Sequence, residues 1–338
     1  MHDPTVLTVI LNYRTPDLTL RATQAALKAM QDLPGEVLIV DNGSGDGSFD
    51  AIARGVEARG WDRDGRLRLL ATGRNGGFGA GMNFGMRVGL SDGQRADFVY
   101  LLNSDAWPEA EAIRSLRDFM IDTPDAGIAG SFIQGEDGVA HQTAFRFPSA
   151  AGEFEMAART SVVTRLCARS VVPMPIPKDN ARIDWTAGAS LMLRGDMLDR
   201  IGGFDETFFL YFEETELSQR AAQAGWQTWF VPASRVTHVG SVSTGQKTWA
   251  RMPGYWLDSR WHYFAKTRGV GYAAWATVTR VAGTLIYDLR RLLQRKPQAD
   301  PDFFLRDLTA HAWRRLFRRR AGGGFIRACA VPLTEDPK

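Results

Sequence analysis

Cysteine is scarce in this 338-residue chain: Cys167 and Cys329 are the only two. That is too few for a disulfide framework, and neither sits in a Cys-x-x-Cys metal or redox spacing, so a reducing cytoplasm is the expected setting. Charge of one sign is also missing, since 41 Lys and Arg face 38 Asp and Glu for a net +3, too little to argue for nucleic acid. No apolar run reaches the ~18 residues of a membrane-spanning helix. The best candidate, residues 270–286, is interrupted by Arg280 and diluted by Thr277 and Thr279. The first residues lack the basic start and apolar core of a signal peptide. The expectation is a soluble chain, or one that touches a membrane without crossing it.

What is present is ordinary globular material, 44% apolar and 23% charged, which excludes a wholly disordered or collagen-like chain. Its length corresponds to roughly two domains. The charge is uneven: residues 280–320 hold 11 Lys and Arg against four Asp and Glu.

Strand and helix signals alternate through the first hundred residues. Strands are expected over Val6–Tyr13, Glu36–Asp41, Leu67–Ala71 and Phe98–Leu102. Helices are expected from Pro16 to about Gln31, from Ser48 to Arg59, and after a glycine-rich loop from Gly76 to Val88. Such alternation predicts crossover units and a mostly parallel sheet, with ligands outside the carboxyl ends of the strands. Asn12, Asp41, Asn75 and Asp105 lie at or just past such ends. Residues 127–177 read as irregular structure within the same domain. Beyond them come a strand near Trp185–Leu193, a short helix through Arg200, a helix from Glu213 to Ala224 and a strand at Trp229–Val231. Residues 272–293 form a helical apolar stripe: Trp275, Val278, Val281/Ala282, Leu285, Leu289 and Leu292.

Four features can carry chemistry, and each has an ordinary structural explanation beside it. Asp41, in VDNGSGDGS, can accept a hydrogen bond from a nucleobase or ribose, or cap its own turn. The glycines of RNGGFGAGMNFG let backbone approach a phosphate, or let a helix pack closely. The Rossmann spacing is not matched after the first strand, which disfavours a dinucleotide fold. Asp105, in LLNSDA, can hold Mg²⁺ or Mn²⁺ against a diphosphate, or cap a helix near Pro108 and Glu109. Glu213, Glu214 and Glu216 can be drawn to a helix start by its dipole; crowded together, one can also act as a general base. His238, alone after a strand, is an ordinary surface or core histidine or a metal ligand.

In order, VDNGSGDGS, RNGGFGAGMNFG, LLNSDA, GASLMLR, GGFDETFFLYFEETELSQRAAQAGW and VPASRVTHVGS resemble the family 2 inverting glycosyltransferases, and most of all the bacterial rhamnosyltransferases. The resemblance covers about residues 5–245. It implies an α/β GT-A fold, with a glycosyltransferase domain over 1–245 and a helical, basic region over 246–338. It also implies inverting transfer of a sugar, L-rhamnose from dTDP-rhamnose being the best match. The acceptor would be a glycan or polyprenyl-diphosphate-linked hydroxyl in cell-surface polysaccharide synthesis, with Mg²⁺ or Mn²⁺ as cofactor.

Residue by residue, the resemblance places Asn12, Tyr13, Asp41, Asn75, Gly76, Ser104 and Asp105 at the donor and Gly188 and Ala189 at the acceptor. Asp105 and His238 fall to the metal. Glu213–Glu214 stand where the family has a Glu-Asp pair whose second member is the base. Two departures stand out: Asn103 replaces the first Asp of the metal motif, and Glu214 replaces Asp as base, reaching one methylene further.

The segment Trp313–Arg320, five arginines among Trp, Leu and Phe, reads as a peripheral contact with the inner face of the cytoplasmic membrane or as a solvated basic helix. No motif in it supports nucleic acid. The sequence leaves two rival readings. A nucleotidyltransferase would clamp a triphosphate with a basic residue, for which Arg14 is the nearby candidate. A silent sugar-nucleotide or glycan-binding module would have no need of Glu213 and Glu214.

Overall fold

A computed structural model describes residues 3–240 and 249–321, without the side chains of 318–321. In chain order the elements are β1 (Val6–Asn12), α1 (Pro16–Ala29), β2 (Gly35–Asp41), α2 (Ser48–Arg59), β3 (Leu67–Ala71), α3 (Phe78–Val88), β4 (Phe98–Asn103) and β5 (Ala106–Pro108). Then follow α4 (Ala112–Asp122), β6 (Ala126–Gln134), β7 (Ala144–Phe145), α5 (Ala150–Ala158), α6 (Ser161–Leu166), β8 (Ala181–Ile183), β9 (Trp185–Thr186) and β10 (Ser190–Arg194). The chain continues with α7 (Gly195–Ile201), α8 (Glu213–Gln223), β11 (Gln227–His238), α9 (Gly254–Arg268), α10 (Val270–Gln294) and α11 (Phe304–Ala321).

One nine-stranded sheet runs β3-β2-β1-β4-β10-β6-β11-β5, with β8 also on β11. Its first four strands are parallel, as the strand–helix alternation requires. The other half is mixed, because β10 enters antiparallel between β4 and β6. Apolar side chains fill both faces of the sheet. Ile10, Ile39 and Tyr100 belong to the core under α1 and α4, and Val9, Val40 and Leu101 to the core under α3.

The glycines of α3 serve close packing. A Cβ at Gly81 would come within 2.5 Å of Leu11, and one at Gly85 within 2.6 Å of Val9. At the mouth of that helix Gly77 has φ +91°, and a Cβ there would strike the Phe209 carbonyl oxygen. The Phe78 N–H donates to that same oxygen at 3.0 Å, so the glycine loop is fastened to the chain just before α8.

The region expected to be irregular contains β6, a nine-residue interior strand. Gly127 and Gly130 dilute its sequence signature, and both are required by packing. A Cβ at Gly127 would meet the Met197 sulfur at 2.6 Å, and one at Gly130 would overlap Thr186. The same region also forms α5, which packs on α10. A helix cap at Asp105 is not formed either. Ala106–Pro108 pairs as a strand with β11, and α4 starts only at Ala112.

Candidate active site

The carboxyl ends of β1 and β4, the amino end of the antiparallel β10 and the starts of α3 and α8 surround a cavity of about 510 Å³. Of the residues expected to act, Tyr13, Asn75, Ser104, Asp105, Gly188, Ala189, Glu213, Glu214 and His238 line it. Asp105 and the Glu213–Glu214 pair, more than a hundred residues apart in sequence, therefore face one space.

Asn12, Asp41 and Gly76 are not among the lining residues. Asn12 and Asp41 are register partners on β1 and β2. Their side chains bond each other at 2.6 Å, and the Ser44 N–H and hydroxyl donate to the Asp41 carboxylate at 3.1 and 2.6 Å. Asp41 thus caps its own turn. Alternation along the strands explains the placement: Asn12 points toward α1, where it accepts from the Thr19 hydroxyl, while Leu11 and Asn42 look into the cavity. Asn42 donates to the Asn75 side chain at 3.2 Å and to the Gly77 carbonyl at 3.0 Å, tying the β2 end to the glycine loop. Arg14, the candidate triphosphate clamp, donates instead to the Ser44 carbonyl.

On one wall the Asp105 carboxylate meets His238 Nε2 at 3.1 Å, and Asn103 Nδ2 lies 3.5 Å from the same nitrogen. The β5–β11 pairing sets this contact, with His238 opposite Ala106 and the Val239 N–H donating to the Asp105 carbonyl. Two neighbouring ligands of an octahedral cation with bonds of ~2.1 Å stand about 3 Å apart, so this pair has the spacing for a shared divalent ion. The donor set is incomplete by itself. Among the described residues no group of three or more His, Cys, Asp and Glu could hold a metal. A bound diphosphate and water would have to supply the remaining oxygens, which is how Mg²⁺ sites are commonly completed.

On the facing wall Tyr211 and Phe212 both have φ 70°, an uncommon conformation for non-glycine residues that costs ~1–3 kcal/mol each. This turn delivers Glu213 and Glu214 to the N-terminus of α8. Glu213 is buried and Glu214 half-buried. One carboxylate oxygen of each is enclosed without a hydrogen-bond partner among the described residues. Burial pushes the Glu213 carboxyl well above its usual range, and the neighbouring Glu214 charge adds to this. Burial also raises Glu214, although hydrogen bonds from backbone N–H groups, that of Gly188 included, oppose it. Such a pair suits proton abstraction from a hydroxyl entering the cavity.

Phe209, Tyr211 and Tyr255 also line the cavity and carried no assignment from sequence. The aromatic run FFLYF before the two glutamates was the available signal for the first two. Tyr255 comes from α9, and its ring lies 5.7 Å from that of Phe209.

The architecture is the GT-A glycosyltransferase fold. Two solved structures share it: a mannosyltransferase from Pyrobaculum calidifontis in complex with GDP-Man and Mn²⁺, and GalNAc-T7 with UDP, GalNAc and Mn²⁺. The first has a TM-score of 0.52 and 16% identity, covering 94% of this chain and 89% of that one. The second has a TM-score of 0.53 and 14% identity, covering 91% of this chain and 54% of that one, so this chain spans about half its length. Residues 5–168 match Glycosyl transferase family 2, and residues 98–296 match Glycosyl transferase family group 2. The N-acetylglucosaminyl-diphospho-decaprenol L-rhamnosyltransferase of Mycobacterium tuberculosis is 30% identical over 255 residues, covering 71% of this chain and 78% of the relative. The rhamnosyltransferase WbbL of Escherichia coli K12 is 29% identical over 97 residues, 28% of this chain and 36% of its own. The chain belongs to glycosyl transferase family 2 and is a glycosyltransferase.

Proposed function

We propose that the protein transfers L-rhamnose from dTDP-rhamnose, with inversion, to a hydroxyl of a polyprenyl-diphosphate-linked glycan in cell-surface polysaccharide synthesis. The 30% identity to an N-acetylglucosaminyl-diphospho-decaprenol L-rhamnosyltransferase supports this choice of sugar and acceptor. The observation that carries the mechanism is the single cavity lined by Asp105, His238 and Glu214.

Glu214 takes the proton of the acceptor hydroxyl. That oxygen forms a bond to the anomeric carbon as the bond to the nucleoside diphosphate breaks on the opposite face. One displacement inverts the centre without a covalent enzyme intermediate. Glu213, more deeply buried and raised further by the Glu214 charge, holds its proton longer than Glu214, which leaves Glu214 as the base. Gly188 orients Glu214 through its backbone N–H, and Ala189 fixes the end of β4 by accepting from the Asn103 N–H at 3.0 Å. Tyr13, Asn75 and Ser104 bound the donor side, with Asn12, Asp41 and Gly76 shaping it from behind. A divalent cation held by Asp105 and His238 would neutralise charge gathering on the departing diphosphate. No described helix is long and apolar enough to cross a membrane. A lipid-linked acceptor would be met at the inner face of the cytoplasmic membrane.

The test is release of dTDP from dTDP-rhamnose only when a polyprenyl-diphosphate-linked acceptor is added, together with thermal-shift screening of dTDP, UDP and GDP with and without Mn²⁺. A larger shift for UDP or GDP than for dTDP would overturn the rhamnosyl assignment. Release of diphosphate independent of acceptor would overturn the transfer.

A further inference from the structure

Helix α10 turns its polar side inward. Thr277, Arg280, Thr284 and Tyr287 are buried against the rest of the protein. Arg280 lies 3.8 Å from Glu153 and 3.9 Å from Asp300, and Glu153 is itself bound by Arg260 at 2.9 Å. The outward side carries the apolar stripe seen in the sequence: Trp275, Val278, Leu285, Leu289 and Leu292 are 54% to 71% exposed. None of the exposed positions from 271 to 294 is charged. Rolling the helix to bury these leucines would withdraw Arg280, itself buried, from Glu153 and Asp300. An apolar groove of about 280 Å³ lies beside this face, between α10 and α11, lined by Val278, Val281, Ala312, Trp313 and Leu316.

We propose that the outward face of α10 and this groove dock on an anionic lipid bilayer, with the leucines reaching the boundary between headgroups and acyl chains. The surroundings have the matching charge: Arg295 and Lys296 are exposed at the end of the stripe, and Arg314 beside the exposed Trp313 on α11. Apolar side chains rimmed by cations and tryptophan form the pattern of interfacial membrane binding. Anionic headgroups supply the counter-charge for these cations, whereas the exposed positions 271–294 of a second copy carry none, so charge favours lipid over self-association. Tyr255 of α9, a helix packed on α10, lines the catalytic cavity, so docking surface and active site share one group of helices. The proposal does not rest on the sugar-transfer reading, because its readout is lipid binding.

The experiment is co-sedimentation of the full chain with vesicles of phosphatidylcholine alone or mixed with phosphatidylglycerol. The wild type should pellet with the mixed vesicles. A triple variant, Leu285→Gln with Leu289→Gln and Leu292→Gln, should bind at least about tenfold more weakly, since these side chains supply the buried apolar area. A second variant, Arg295→Gln with Lys296→Gln and Arg314→Gln, should lose the preference for phosphatidylglycerol. Should the leucine variant fail to fold, quenching of wild-type tryptophan fluorescence by brominated lipid, reduced by Trp275→Phe, provides the same reading. A wild type that stays in the supernatant, or a folded leucine variant that pellets like wild type, overturns the proposal. So does a wild-type dimer that the leucine variant turns into a monomer while neither binds vesicles.

Discussion

The Asp105 carboxylate and His238 Nε2 meet at 3.1 Å although 133 positions separate them in the chain. The antiparallel pairing of β5 with β11 makes this contact, and it faces the cavity that also holds the two glutamates. Asp105→Asn should remove the Mn²⁺-dependent part of the thermal shift given by dTDP, weakening it by at least about tenfold, because the site then has no protein carboxylate. His238→Ala should weaken it less. A D105N protein whose dTDP shift still depended fully on Mn²⁺ would place the cation elsewhere.

Glu214→Gln keeps the shape of the side chain and removes its basicity. Turnover should fall by ~10²–10⁴, the range of a lost general base, while dTDP binding stays within about twofold. Glu213→Gln should cost less, because that carboxyl does not take the acceptor's proton. Acceptor-dependent dTDP release measures both, and the reverse ranking would make Glu213 the base.

Burial raises both carboxyls, so the acid limb of the activity profile should lie above the ordinary Glu value of about 4.3. Glu213→Gln should leave that limb in place, because burial and not the Glu213 charge raises Glu214. Stability follows the same linkage. Between the ordinary Glu value and the raised one, the folded chain retains protons that the unfolded chain has released, so stability falls as pH rises through that window. Glu213→Gln should therefore raise Tm relative to wild type above the window and not below it. Melting curves from pH 4 to pH 8.5 test the sign.

Gly77→Ala places a Cβ against the Phe209 carbonyl at φ +91°. A loss of at least about 2 kcal/mol is expected from the strained backbone and the overlap, read by urea denaturation. Gly73→Ala, at φ +77° with open space around its Cβ, is the control for strain alone. Equal losses at the two sites would deny that the glycine loop is fastened to the α8 approach.

Much of the fold was legible because local rules agreed with one another. The limits of α2 and β3 follow directly from their periodicity and flanking turn residues. What escaped was decided by distant neighbours. β6 looked irregular because Gly127 and Gly130 break the strand pattern, and only the closeness of Met197 and Thr186 explains them. The site was legible as a set of motifs and less so as a surface. Asp41 stands out by its motif and Asn42 beside it does not, yet strand alternation turns Asn42 to the cavity and Asp41 to its own turn.

The order of acidic and glycine-rich segments by itself determined the family and the α/β plan, because each strand end and each helix start is specified by residues a few positions apart. Tertiary structure alone decided which polar groups share a space and which face of α10 meets solvent. Those outcomes depend on pairings across a hundred residues or more, such as β5 with β11, and on where the buried charge of Arg280 finds its partners. A helical stripe reads the same whether it faces a core or the outside; the ion pairs on its opposite side settle the matter.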